Sequence, residues 1–198
     1  MARKRDFARP SARKRIFDTA ADLFYRRGIR AVGIEAIAAQ AETTKMSLYR
    51  SFPSKDELVA AWLRDHDAKF WLAWDSMSQK YPGEARQQLQ AAFALFAKHV
   101  SDPAARGCPM ANAAVEITQK DHPARRVIEA HKAKLRTRLA ELCGRTGARK
   151  AALLADELFL LMEGAQVSTV LGFRGPARKV AHAADALIDS HLQGRRRA

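Results

Sequence analysis

Ile34-Glu35-Ala36-Ile37-Ala38-Ala39-Gln40-Ala41-Glu42-Thr43-Thr44-Lys45-Met46-Ser47-Leu48-Tyr49-Arg50-Ser51-Phe52 is the stretch that decides the fold. Ile34, Ile37, Ala38 and Ala41 keep helical spacing over a very short segment. Glu42 and Thr43 interrupt it, and Thr44 offers a capping hydroxyl for a second short helix that continues through Tyr49. Phe52-Pro53-Ser54 ends that helix and starts the next, because Ser54 followed three residues later by Glu57 is a capping-box pattern. Helices this short do not hold themselves in water and need a platform. The platform is the preceding helix, expected from about Ser11 to Arg27. Ile16, Ala20, Leu23 and Phe24 form its apolar stripe, and Gly28 sits where a left-handed cap is wanted.

Downstream, helix follows helix. A long one is expected from roughly Ser54 to Lys80, ended by Pro82-Gly83, and a fifth near Glu84 to Ser101 that buries Leu89, Phe93, Phe96 and Val100. A short helix through Met110, Ala114 and Ile117 precedes the break at Asp121-His122-Pro123. A seventh carries Ile128, His131, Leu135 and Leu142 inward, with Lys132, Lys134, Arg136 and Arg138 mostly on the solvated side. Lys150 to Leu171 reads as a broadly apolar helix. Gly172 to Pro176 separates it from a last one with Val180, Ala184, Leu187, Ile188 and His191 in register. No period-two alternation, repeat or low-complexity tract intervenes. The expected class is all-α, about nine helical segments.

The composition narrows the function. The chain has 198 residues and a formal net charge of +14, with a sequence pI near 10.4, an excess that favours a polyanionic partner. Residues 1–54 carry 12 Lys/Arg against 5 Asp/Glu, so that quarter of the chain is the electrostatic focus. The most apolar run, Leu158 to Met162, is closed by Glu157 and Glu163 and is far too short to span a bilayer. The basic start leads into an amphipathic pattern and not into the apolar core of a secretion signal, so a soluble cytoplasmic protein without a membrane partner is expected. Cys108 and Cys143 have neither disulfide-framework nor metal-ligand spacing. No GxSxG, HExxH, Walker-type loop or GxGxxG occurs, and the six histidines are scattered. The expectation is a non-enzyme with no cofactor and no metal.

Two very short helices on a platform match a helix-turn-helix, whose second helix enters the major groove. Residues 44–50 would be that recognition helix, with Thr44, Lys45, Ser47, Tyr49 and Arg50 as donors and Leu48 and Phe52 as anchors. The residues Ile16…Ala20…Leu23-Phe24…Gly28…Ile37-Ala38…Leu48-Tyr49…Phe52…Ser54-Lys55-Asp56-Glu57-Leu58 resemble the N-terminal DNA-binding domain of TetR-family transcriptional regulators, from about Pro10 to Phe70. Two departures are visible. Val32 stands where the family often has Thr, which would remove a phosphate contact at the start of the second helix. Glu42 replaces the common Gly of the turn. The resemblance implies phosphate contacts from Thr43 and Thr44, and base-edge positions at Lys45, Met46, Ser47 and Arg50. It further implies a Tyr49 hydroxyl aimed at the DNA backbone and a phosphate clamp at Lys55.

The expected division is a basic arm over 1–9, a helix-turn-helix domain over 10–54 with the motif at about 33–52, a connecting helix at about 54–80 within a regulatory and dimerisation domain over 55–194, and a basic tail over 195–198. The resemblance implies a repressor that binds a palindromic double-stranded operator as a homodimer and is released by a small molecule. Two heads about one DNA turn apart (~34–36 Å) would read such a site. Leu153 to Leu171, together with Ala181, Ala184, Leu187 and Ile188, are the interface candidates, as an intersubunit four-helix bundle. The ligand-pocket candidates are Phe70, Trp71, Trp74, Phe93, Phe96, Met110 and Met162, with Asn112, Glu116 and Gln166 as polar groups beside them. Gly107-Cys108-Pro109-Met110-Ala111-Asn112 is similar to a sequence in regulatory domains of some family members. It leaves open an alternative in which Cys108 senses electrophiles or oxidants; ligand-independent DNA binding is another.

Overall fold

The computed structural model describes residues 10–192. The described chain is helical throughout, in the order α1 Ala12–Arg27, α2 Ile34–Gln40, α3 Lys45–Ser51, α4 Lys55–Ser78, α5 Ala85–Ser101, α6 Pro109–Glu116, α7 Pro123–Arg145, α8 Ala151–Val170, α9 Arg174–Ala177 and α10 Val180–Leu192. Among the described residues there are thus ten helices where nine segments were expected. The difference is α9, a single turn inside the Gly172-to-Pro176 connection, whose glycines and proline masked any periodicity. The basic arm over 1–9 and the tail over 195–198 lie outside the described residues.

Local chemistry sets the boundaries. The hydroxyls of Ser11, Thr44 and Ser54 accept from the N–H groups of Lys14, Ser47 and Glu57, so α1, α3 and α4 each begin on a side-chain cap. Gly28 ends α1 at φ 87°, a left-handed conformation that costs glycine little. Glu42 holds φ 49° in the turn between α2 and α3. The turn therefore keeps its left-handed residue although the side chain there is not hydrogen, at a cost of about 1–2 kcal/mol. Val32 is 2% exposed and belongs to the core, and Gly33 is the α2 N-cap with no side-chain bond.

Two apolar clusters fill the molecule. The first joins α1–α3 to the first half of α4 through Ile16, Leu23, Phe24, Ile37, Leu48 and Leu63, and it continues into Met110 and Ala113 of α6. The second packs the rest of α4 with α5, α7, α8 and α10 around Trp74, Phe93, Leu139, Leu154, Leu158 and Ile188. Ala184 and Ile188, expected at an intersubunit bundle, are fully buried in this second cluster, because α10 lies against α5 and α8 of its own chain. No helix among the described residues is long and apolar enough to cross a membrane.

Candidate functional site

Leu48 is fully buried under α1 and α2, and this anchor turns the opposite side of α3 to solvent. Thr44, Lys45, Met46, Tyr49 and Arg50 are all exposed, Met46 at 66% and Tyr49 at 41%. Thr43 and Ser47 are half-buried; Thr43 gives its backbone N–H to Ala38 O in the turn. Lys45 Nζ reaches back to Glu35 Oε1 of α2, at 2.7 Å. The hydrogen bond, reinforced by charge, raises the Lys45 pKa and lowers that of Glu35. Lys55, the first residue of α4, is half-buried, and burial lowers its pKa.

Two arginines of α1 hold the motif from behind. Arg15 donates to Ala41 O at 3.1 Å, Glu42 O at 3.1 Å and Pro10 O at 2.9 Å, and so pins the carbonyls on both sides of the left-handed turn residue. Arg13 donates to Ser51 O at the end of α3, and its guanidinium carbon lies 4.3 Å from the centre of the Phe52 ring. By sequence both are simply two of the 12 Lys/Arg in residues 1–54. Their targets are main-chain carbonyls brought near by the fold, and nothing in the sequence marks such pairings.

Among the described residues a cavity of about 300 Å³ opens between α4, α5, α7, α8 and the start of α6. Phe70, Trp74, Phe96, Cys108, Met162 and Gln166 line it, joined by Met77, Leu95 and Leu135. Trp71, Phe93, Met110 and Asn112 do not. Phe93 and Met110 are core residues exposed by 1% and 0%. Trp71 packs its ring against His131 and bonds Asp67, and Asn112 donates to Arg106 O at 2.7 Å. Glu116 is also elsewhere: its carboxylate accepts the Arg30 N–H at 2.8 Å, just beyond α1. Lys132, expected on the solvated side, faces the cavity, 2.5 Å from Glu163 Oε1 and 3.6 Å from Cys108 Sγ.

Three histidines scattered in sequence converge here. His66, His99 and His131 come from three different helices onto one wall. Burial lowers the pKa of all three, and that of His66 falls to about 4. They do not form a metal cluster among the described residues. The cavity is also tied to the head. Cys108 and Pro109 follow directly on Gly107, whose carbonyl accepts from the Tyr25 hydroxyl at 3.3 Å, and that oxygen accepts the Arg106 N–H at 2.7 Å.

Comparison with known proteins matches this geometry. The model of bacterial regulatory proteins of the tetR family matches residues 16–62, and that of the tetracyclin repressor-like C-terminal domain matches residues 85–187. A TetR-family transcriptional regulator from Streptomyces coelicolor is 28% identical, with 91% of this chain and 95% of that chain covered and a TM-score of 0.86. A tetR-type regulator from Streptomyces avermitilis is 29% identical, with 92% and 98% covered and a TM-score of 0.78. A regulator from Saccharomonospora viridis, solved in complex with choline, shares the fold at 23% identity, with 90% and 95% covered and a TM-score of 0.73. No curated protein matches the chain. Regulators of this kind bind DNA and catalyse no reaction. With family models matching its head and most of its helical body, the chain belongs to the TetR family of DNA-binding transcriptional regulators.

Proposed function

We propose that the protein is a cytoplasmic repressor that binds a palindromic operator as a homodimer and leaves it when a small molecule fills the cavity. The observation that carries this reading is the outward face of α3, on which Lys45, Met46, Tyr49 and Arg50 stand exposed above a buried Leu48. Phosphate neutralisation supplies most of the affinity of such a head, and base contacts add discrimination of ~1–3 kcal/mol per good bidentate pair. In this reading Thr43, Thr44 and Lys55 hold the phosphates, and Lys45, Met46, Ser47 and Arg50 face the bases.

The dimer rests on α8. Leu153, Leu160, Val167 and Leu171 are 47%, 68%, 54% and 64% exposed and recur at helical spacing along one line, with Gly164 between them. A soluble monomer rarely leaves such a stripe open. Release by a ligand requires that the ligand bind better to the conformation whose heads are wrongly spaced. The contacts of Tyr25 with Gly107 and Arg106, next to the cavity wall, support a path for that coupling. The choline complex of the Saccharomonospora viridis regulator supports a small-molecule site in this fold.

Gel shifts with operator and scrambled DNA at rising salt test the reading. Arg50→Ala and Lys55→Ala should each weaken operator binding with little loss of fold, the first by relaxing the preference over scrambled DNA and the second by flattening the salt dependence by about one charge. Unchanged affinity in both variants at moderate salt refutes the placement. A second reading, thiol sensing, is favoured by the Lys132 ammonium beside Cys108 Sγ at 3.6 Å in the cavity wall. Iodoacetamide labelling of the native protein decides it: no reaction at Cys108 removes the sensor.

A further inference from the structure

Six ionisable side chains besides Cys108 line the cavity, and each is paired within the protein or held neutral by burial. Lys132 lies 2.5 Å from Glu163, and Lys69 lies 2.7 Å from Asp65. His131 bonds Asp67 at 2.7 Å, and the same carboxylate oxygen accepts Trp71 Nε1 at 2.8 Å. Burial keeps His66 and His99 neutral near pH 7. A charged ligand inside the cavity would have to break the Lys132–Glu163 pair or carry its own charge into an apolar space without a counterion, and both are unfavourable.

The remaining wall asks for a ring. Phe70, Trp74 and Phe96 present aromatic surface, which favours offset or edge contacts with another π-system. Met77 and Met162 are flexible thioethers that mould around aromatic edges. At about 300 Å³ the space holds roughly ten groups of water size, taking ~30 Å³ for each. One polar atom is left over. Gln166 Oε1 is buried and has no hydrogen-bond partner among the described residues, on a side chain that lines the cavity. Turning this amide toward the cavity would bring the oxygen to a donor there, and such a donor would remove the cost of an unmatched acceptor.

We infer that the cavity takes a neutral, compact aromatic molecule of about two fused rings with one hydrogen-bond-donating group, and that Gln166 reads that donor. The inference rests on the proposed ligand-release function but concerns binding only.

Isothermal titration of the full chain with an isosteric series tests it: 2-naphthol, 2-naphthoate, 2-(ammoniomethyl)naphthalene and 2-methoxynaphthalene at pH 7.5. 2-Naphthol should bind about tenfold or more tighter than either ion, and about fivefold tighter than the methoxy compound, which has no donor. In Gln166→Leu the preference for naphthol over methoxynaphthalene should vanish, while the methoxy compound binds as in the wild type. Gln166→Met serves equally if the leucine variant does not fold. Binding of either ion as tightly as naphthol, or no binding of naphthol, overturns the ligand class; a preference that survives both substitutions overturns the role of Gln166. Operator release is scored separately by gel shift. Naphthol binding with the operator still held supports the ligand class and counts only against release.

Discussion

Replacing Arg15 by alanine separates two meanings of a positive charge near DNA. In the structure Arg15 spends its guanidinium on three carbonyls, of Pro10, Ala41 and Glu42, at 2.9, 3.1 and 3.1 Å. Hydrogen bonds to a charged group are worth ~1.5–3 kcal/mol each when buried, but only the bond to Ala41 is part-buried, and the other two are open to water. A total of about 1–2 kcal/mol is therefore at stake in ordering the turn that carries Glu42 at φ 49°. If the turn is held by no more than that margin, the whole loss lowers the fraction of heads in the competent geometry. The apparent Kd then rises by at most ~5–30-fold. Fluorescence anisotropy with labelled operator, repeated across a salt series, reads both affinity and slope. A positioning role predicts weaker binding on a parallel line of log K against log salt. Arg15→Lys should recover little, because an ammonium cannot span three carbonyls as the planar fork does. A slope flatter by ~0.9 in Arg15→Ala would show a phosphate contact and refute the reasoning.

Three further outcomes are expected. Glu35→Gln frees Lys45 from its 2.7 Å partner and removes a carboxylate beside the α3 face, so operator affinity should rise and the salt dependence should steepen; an unchanged or weaker complex places Lys45 away from the phosphates and bases. Leu160→Glu puts a charge into the exposed α8 stripe without touching the core, and light scattering after size exclusion should show the mass fall from two chains to one; an unaltered mass moves the interface elsewhere. His66, held neutral with its pKa lowered from 6.5 to about 4, binds fewer protons in the folded than in the unfolded chain between those values. Its contribution to stability is complete above pH 6.5 and is lost as the pH falls toward 4, so the urea midpoint should drop across that window. His66→Gln should shallow that drop, and an identical pH profile in the variant would count against it.

The head was legible because its signals are short-range. Caps at Thr44 and Ser54, the stop at Gly28 and the apolar stripe Ile16, Ala20, Leu23 and Phe24 each lie within a few residues of what they control. A residue at Glu42 that replaces the usual glycine was visible too, though not its left-handed backbone. The cavity was half legible. Bulk and polarity singled out Phe70, Trp74, Phe96, Met162 and Gln166, but the same criteria admitted Phe93 and Met110, which face neighbouring helices and fill core. Which side of an amphipathic helix meets a void and which meets a partner depends on the rotation of that helix in the bundle. Lys132 shows the opposite error, read as solvated and found inside against Glu163.

Spacing and capping along the chain already determined that this protein is a string of helices with a reading helix near residue 45 and a cationic N-terminal quarter. Such properties depend on neighbours in sequence and survive any packing of the rest. Only the tertiary structure decided that Arg13 and Arg15 brace the motif, that three histidines from α4, α5 and α7 share one wall, and that Gln166 is left with an unmatched oxygen. These are contacts between residues tens of positions apart. They exist only after the helices have chosen their crossing angles, and no pattern within a single helix encodes that choice.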